Sequence, residues 1–248
     1  MEGMRSLARS AVKEMFRLCF PPSCMGCGKH VADAGTVCGA CWSGLRFIER
    51  PYCAVLGVPF NHDLGDSILS AEAIADPPPY RRARAVAVHD GVPKRMAHGL
   101  KYSDRTDLAP WMAGWMARAG QELIGECDLI VPVPLHPRRL WMRRFNQSAE
   151  LARAISNRTG KPFEPEALRR IKRTQQQVGL GAQERARNVR GAFRVPEREE
   201  IKVRGRSVLL VDDVYTTGAT VKAATRALLK GGAGAVDVLT FSRVLPGN

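Results

Sequence analysis

The stretch Val208-Leu209-Leu210-Val211-Asp212-Asp213-Val214-Tyr215-Thr216-Thr217-Gly218-Ala219-Thr220 starts with four uninterrupted apolar residues and ends in small and hydroxylated ones. A continuous apolar run belongs to a strand buried on both faces, as in a parallel sheet covered by helices. The reading is a strand over Ser207–Val211 that ends in two adjacent carboxylates, then a Thr/Gly loop that opens a helix over Ala219–Lys230. The N–H groups of such a loop and of the helix start form a cradle for a phosphate, and threonine hydroxyls add donors. The carboxyl end of a parallel strand is also where open α/β sheets bind ligands. Asp212 and Asp213 repel that phosphate themselves; they suit the diol of a ribose, or a metal ion nearby. Without a ligand, the same residues describe a strand end and a capped helix, where Asp and Thr are common.

The pattern repeats outward. Ala83–His89 and Leu129–Pro134 read as further strands, and Val236–Phe241 closes the series. Pro93–Tyr102, Leu108–Arg118 and a segment starting at Ser148 read as helices between them. Strands alternating with helices predict an α/β fold with a parallel sheet flanked by helices over residues 81–248. Residues 51–80 are rich in Gly, Pro and Asp and end in Asp76-Pro77-Pro78-Pro79, which reads as a linker or domain edge, or as the remnant of a further ribbon. No internal repeat or low-complexity segment is evident.

Residues 1–50 form a separate N-terminal part. Arg5, Arg9, Lys13 and Arg17 recur at helical spacing among Leu7, Ala11, Met15 and Leu18, which predicts an amphipathic helix rather than a secretory signal. Cys24-Met-Gly-Cys27 and Cys38-Gly-Ala-Cys41 follow, two C-x-x-C pairs ten residues apart. Two such knuckles supply the four thiolates of a closed tetrahedral Zn²⁺ site, which is structural rather than catalytic because no position is left open. Cys19, Cys53 and Cys127 are single and read as small packed residues. Close cysteine pairs and an odd total of 7 suit a reducing, cytoplasmic setting.

The 248 residues carry 38 Lys or Arg against 24 Asp or Glu, a net charge of +14, which points to anionic partners. Residues 131–206 hold 19 basic and 7 acidic side chains, a surplus of 12, so the excess is localised. His136, Arg138, Arg139, Arg143 and Arg144 fall in what reads as a loop after Leu129–Pro134, a guanidinium cluster suited to a pyrophosphate. His136 alone reads as a bystander. The 169–193 block is polar and basic (Arg173 to Gln177, then Arg185, Arg187, Asn188 and Arg190), with few apolar anchors, and reads as mobile until an anion recruits it. Lys101 ends a helix, where a cation is favoured, and is a candidate pyrophosphate contact. The absence of any G-x-x-x-x-G-K-[ST] loop argues against an NTPase.

Taken together, VLLVDDVYTTGAT resembles the phosphoribosyl pyrophosphate motif of type I phosphoribosyltransferases. The cysteine ribbon at 24–41, Leu100-Lys101-Tyr102, the block VPVPLHPRRLWMRRFNQSAELA at 131–152 and the 169–193 block are similar to the ComF family of competence-associated phosphoribosyltransferase-like proteins. The resemblance implies that Asp212 and Asp213 hold the ribose hydroxyls. Thr216, Thr217, Gly218, Ala219 and Thr220 would hold the 5′-phosphate, and Mg²⁺ would accompany the donor. It further implies that Lys101, Arg138 and Arg144 meet pyrophosphate, with Arg173 and Arg185 on a lid. A second C-x-x-C is common in the family just after the first ribbon; here the place reads Cys53-Ala-Val-Leu-Gly57, so no second metal is expected.

The function expected is binding of phosphoribosyl pyrophosphate or a nucleotide, with phosphoribosyl transfer in nucleotide salvage or DNA uptake. The alternatives are a non-catalytic nucleotide sensor, or a protein that binds single-stranded DNA and works with other DNA-uptake proteins. No recognition-helix motif supports sequence-specific readout.

Overall fold

The computed structural model describes residues 21–245 apart from 64, 66, 103, 104 and 173–181, with backbone alone at 139, 142, 143, 182, 183, 185 and 186. The N-terminal amphipathic helix, Cys19 and Arg173 lie outside the described residues. The chain divides into two units, Met1–Leu45 and Arg46–Asn248.

The larger unit is built on a four-stranded, all-parallel sheet. β1 (Ala83–Val88), β2 (Leu129–Pro132), β5 (Ser207–Tyr215) and β6 (Ala235–Arg243) lie in the order β1-β6-β5-β2. Every residue of β1 and β2 is buried, as suits mostly apolar strands covered on both faces; the exception in kind is Arg84 of β1, whose charge is met by Glu122 at 2.6 Å. A separate antiparallel pair joins β3 (Arg169–Arg170) to β4 (Phe193–Arg194). The helix Gln147–Thr159 packs on β2, β5 and the helix Ala109–Ala119, while the helix Ala219–Lys230 packs on β4, β5 and β6. This is the flanked parallel sheet expected from the sequence.

Three elements differ from expectation. β5 continues through Asp212 and Asp213 to Tyr215, because β6 is long enough to pair with it to Arg243. The two acids are therefore strand residues, not the start of a loop. The arginine-rich stretch after β2 is a short helix, Pro137–Arg143, with proline at its start and the His136 ring accepting a hydrogen bond from the Arg138 amide at 3.3 Å. The 169–193 block has apolar anchors at its end: a helix spans Ala182–Val189, and Val189, Ala192 and Phe193 are buried in the core.

Of the two readings of residues 51–80, the structure has the ribbon remnant and not the linker. Cys53, Leu56, Ala73 and Tyr80 belong to the same core cluster as Val208, Leu210 and Val236. Asp76 pairs with Lys222 at 2.6 Å, and the Val55 carbonyl accepts from the Ala83 amide at 2.7 Å. The boundary thus falls at 45–46 rather than 50, since Ile48 already donates to Val86 and joins β1.

The segment repeats the backbone of the first ribbon, of whose cysteines the sequence keeps Cys53 alone. In residues 22–41, Val31 donates to Pro22, Cys24 to Lys29, Gly28 to Cys24 and Met25 to Thr36. In residues 51–73, Phe60 donates to Pro51, Cys53 to Val58, Gly57 to Cys53 and Ala54 to Ile68. Antiparallel bridges Ser23–His30 and Tyr52–Pro59 close the two knuckles. Gly28 and Gly57 take the left-handed conformation at φ 76° and 65°, which glycine adopts freely. A short helix follows each knuckle, Gly39–Ser43 in the first and Ala71–Ala75 in the second.

Candidate functional site

The carboxyl ends of β5 and β6 gather the candidate site. Neighbouring residues of a strand point to opposite faces, and the two acids accordingly meet different partners. Asp212 accepts a hydrogen bond from the Ser148 hydroxyl at 2.8 Å and from the Asp213 amide at 3.0 Å. Asp213 is paired with Lys101 at 2.6 Å. Ser148 reaches Asp212 because Asn146 caps its helix: the Asn146 side chain accepts from the Ser148 amide at 3.1 Å and donates to the Val133 carbonyl at 3.0 Å.

Burial, reinforced by the adjacent Asp213 charge, raises the Asp212 carboxyl to about 7, although Lys101 and Ser148 act the other way. Burial works to discharge Lys101, but the two carboxylates outweigh it and raise its pKa. His89 sits at the end of β1 with Nδ1 2.7 Å from the Ser242 hydroxyl, and burial with the nearby Lys101 charge lowers its pKa. The cluster is thus a buried acid pair balanced by one lysine, an arrangement that favours a ligand bringing both hydroxyl donors and its own cation.

Beyond Tyr215, residues 216–218 turn directly into the helix Ala219–Lys230, whose boundaries match the sequence reading. Gly218 stands at the capping position with φ 74°, and no side chain caps the helix. A Cβ on Gly218 would lie 2.2 Å from the Tyr215 hydroxyl. The constraint on this glycine is therefore its backbone conformation and the tyrosine beneath it, rather than crowding of a phosphate alone. Tyr215 is fixed in turn: its hydroxyl is 2.8 Å from that of Tyr80, and Arg243 stacks over its ring at 4.1 Å. Arg243 also donates to the Leu56 carbonyl. Sequence reasoning missed Ser148, Tyr80, Tyr215 and Arg243. Only Ser148 had a local signal, the Asn-Gln-Ser helix start.

Of the cationic residues named from the sequence, Lys101 is brought onto the acid pair. Arg138 and Arg144 are exposed beside the helix Pro137–Arg143, and no carboxylate among the described residues pairs with either. Arg144 closes that helix in the left-handed conformation at φ 63°, an uncommon state for a side-chain-bearing residue. Arg185 lies on the helix Ala182–Val189.

In the smaller unit, the sulfurs of Cys24, Cys27, Cys38 and Cys41 all lie within 4.8 Å of one another, and those of Cys27 and Cys38 are 3.7 Å apart. Tetrahedral zinc with bonds of about 2.3 Å separates its sulfurs by about 3.8 Å, so the four thiols fit Zn²⁺. Burial opposes ionisation of Cys24, but amide hydrogens from Cys38, Gly26 and Cys27 outweigh it and hold that thiol at about 6. Cys41 is pushed up to about 12, first by burial and then by the neighbouring sulfurs, a conflict that a divalent cation among the four relieves. The site is structural zinc. Cys53 and Cys127 are buried single cysteines, as expected, and burial pushes the Cys127 thiol up to about 11.

This fold and these two sites define the class of protein. Residues 146–243 match the phosphoribosyl transferase domain family, and residues 15–73 match the double zinc ribbon domain family. The chain is 34% identical over 217 residues to the DNA utilization protein YhgH of Escherichia coli K12, covering 84% of this chain and 91% of that protein. It is 35% identical over 117 residues to competence protein F of Haemophilus influenzae, 47% of this chain and 50% of the relative. It is 26% identical over 214 residues to competence protein ComFC of Bacillus subtilis, 84% of each chain. The chain belongs to the ComF family, the family of these proteins. Among the described residues no helix is long and apolar enough to cross a membrane.

Proposed function

We propose that the protein binds phosphoribosyl pyrophosphate, or a nucleotide sharing its ribose 5-phosphate, at the carboxyl end of β5, and that it serves in the handling of DNA. The observation that carries the reading is one register of residues: a buried acid pair, Asp212 and Asp213, the second of them five positions before the glycine that opens a twelve-residue helix. The 5′-phosphate lies on the amides and hydroxyls of Thr216, Thr217, Gly218, Ala219 and Thr220, at the positive end of the helix dipole. The ribose hydroxyls donate to Asp212 and Asp213. On this reading Lys101, which neutralises Asp213 in the free protein, meets pyrophosphate together with Arg138 and Arg144, and Arg173 and Arg185 are further candidates from the sequence alone.

Mg²⁺ arrives on the donor and keeps several waters. In phosphoribosyl transfer, pyrophosphate leaves C1 of the ribose with the bonding pair, and a nitrogen lone pair of the acceptor base forms the new bond. No protein nucleophile takes part; the chain contributes positioning and charge neutralisation. A cytoplasmic role in DNA uptake or nucleotide salvage accords with relatives named for DNA utilization and competence.

Calorimetry with the donor and Mg²⁺ tests this. Wild type should bind and Gly218→Val should not, because valine at φ 74° would strike Tyr215. Absence of heat with wild type would falsify the reading. Turnover of labelled donor against a panel of bases, set beside binding alone, separates a transferase from a nucleotide sensor.

One observation favours a second reading, single-stranded DNA binding. Trp141 is 85% exposed on the helix Pro137–Arg143, beside Leu140 and between Arg138 and Arg144. An exposed aromatic ring among guanidiniums is a platform for stacking a base. Trp141→Ala should weaken binding of a fluorescent oligonucleotide, and rising salt should weaken the wild type steeply. Binding indifferent to salt and to Trp141 would reject it.

A further inference from the structure

We propose that the second ribbon, residues 51–75, folds without metal, its core filled by leucine, so that the chain carries one zinc rather than the two a double ribbon implies. The two ribbons share their backbone hydrogen bonds, so the ligand positions of the second are read from the first. Cys24 corresponds to Cys53, Cys27 to Leu56, Cys38 to Ser70 and Cys41 to Ala73. The correspondence extends to sulfur. The Cys38 amide donates to the Cys24 sulfur at 3.2 Å, and the Ser70 amide donates to the Cys53 sulfur at the same 3.2 Å.

The residues at these places do not fit zinc. Leu56 and Ala73 have no lone pair to offer. The Ser70 hydroxyl accepts from the Ala73 amide at 3.3 Å as the cap of its helix. Cys53 alone remains, and one thiol does not supply the four donors of a tetrahedral zinc site. The gain is apolar packing: Cys53, Leu56 and Ala73 are 0%, 1% and 4% exposed within the core of the larger unit. A metal centre crosslinks only its own loops, whereas this knuckle is tied to the sheet. Gly57 approaches β1 so closely that a Cβ would lie 2.4 Å from the Ala83 carbonyl oxygen. The Leu56 carbonyl holds Arg243, which stacks on the tyrosine beneath Gly218. This knuckle thus supports the phosphate loop, and that support does not depend on zinc.

The test is zinc content per chain of the purified full-length protein, by elemental analysis after saturation with zinc and desalting. Wild type and Cys53→Ser should each hold one zinc, and Cys38→Ser none. The triple variant Leu56→Cys, Ser70→Cys, Ala73→Cys should hold two, because the backbone already has the geometry of a tetrathiolate site. Two zincs in wild type, loss of one in Cys53→Ser, or a folded triple variant that stays at one would overturn the proposal. If the triple variant fails to fold, the wild-type and Cys53→Ser counts decide. None of these readouts involves the donor, so failure of the phosphoribosyl reading leaves them standing.

Discussion

The two ribbons reach the same backbone by different forces. In residues 22–41, four thiols surround one centre, and two of the four cysteines, Cys27 and Cys38, are not fully buried. So small a unit cannot bury enough apolar surface to order itself, and metal coordination supplies the missing free energy. In residues 51–73 the knuckle lies against a large core, and a leucine side chain replaces a metal ligand. The comparison teaches that a zinc ribbon is a backbone conformation before it is a metal site. What stabilises it depends on what surrounds it.

The strongest way to break the comparison is at the metal. Cys38→Ser should remove the zinc and unfold residues 22–45 locally, since structural zinc in such units contributes about 10–16 kcal/mol. Amide exchange should show that loss while residues 46–245 keep their protection; protection lost throughout would mean the larger unit also relies on zinc. The matching change in the second ribbon is Leu56→Ala. It deletes a side chain 1% exposed and should cost about 2–5 kcal/mol of the larger unit's stability, with zinc content unchanged. A denaturation midpoint equal to wild type would show that leucine is not what fills the metal's place.

Two smaller effects sharpen the link from the second ribbon to the ligand site. Asp213→Asn keeps shape but removes an anionic acceptor. Charge-assisted hydrogen bonds are worth about 1.5–3 kcal/mol, so donor affinity should fall roughly ten- to a hundredfold by calorimetry. An unchanged affinity would place the ribose elsewhere.

The last effect is a pH dependence. Asp212 titrates at about 7 in the folded protein against 3.8 ordinarily, so folding binds its proton more tightly. Its contribution to stability is full below about pH 4 and is lost as pH rises through about 7. Donor binding, which uses the ionised carboxylate, runs the other way and should strengthen by about threefold between about pH 6.5 and 7.5. Asp212→Asn should flatten both profiles; slopes that survive the substitution would assign them to another group.

The sequence by itself determined what depends on local chemistry. Apolar runs at Leu129–Pro132 and Val208–Val211 made a buried parallel sheet legible, because a strand covered on both faces has no polar side to show. The Cys24–Cys41 spacing made the zinc site legible, because knuckle geometry is set within a few residues. The tertiary structure alone decided what depends on distant partners. The register of β5 against β6 drew Asp212 and Asp213 into the strand, and the alternation of side chains sent one to Ser148 and the other to Lys101. The repeat at 51–73 was legible only as a remnant at Cys53, because three of its four ligand positions are not cysteine, while the hydrogen bonds that define it run through the backbone, where side-chain identity leaves no trace. Packing of that segment on a core assembled from residues as far off as Val236 is a non-local fact, and a Gly- and Pro-rich sequence reads as a linker until that core is in place.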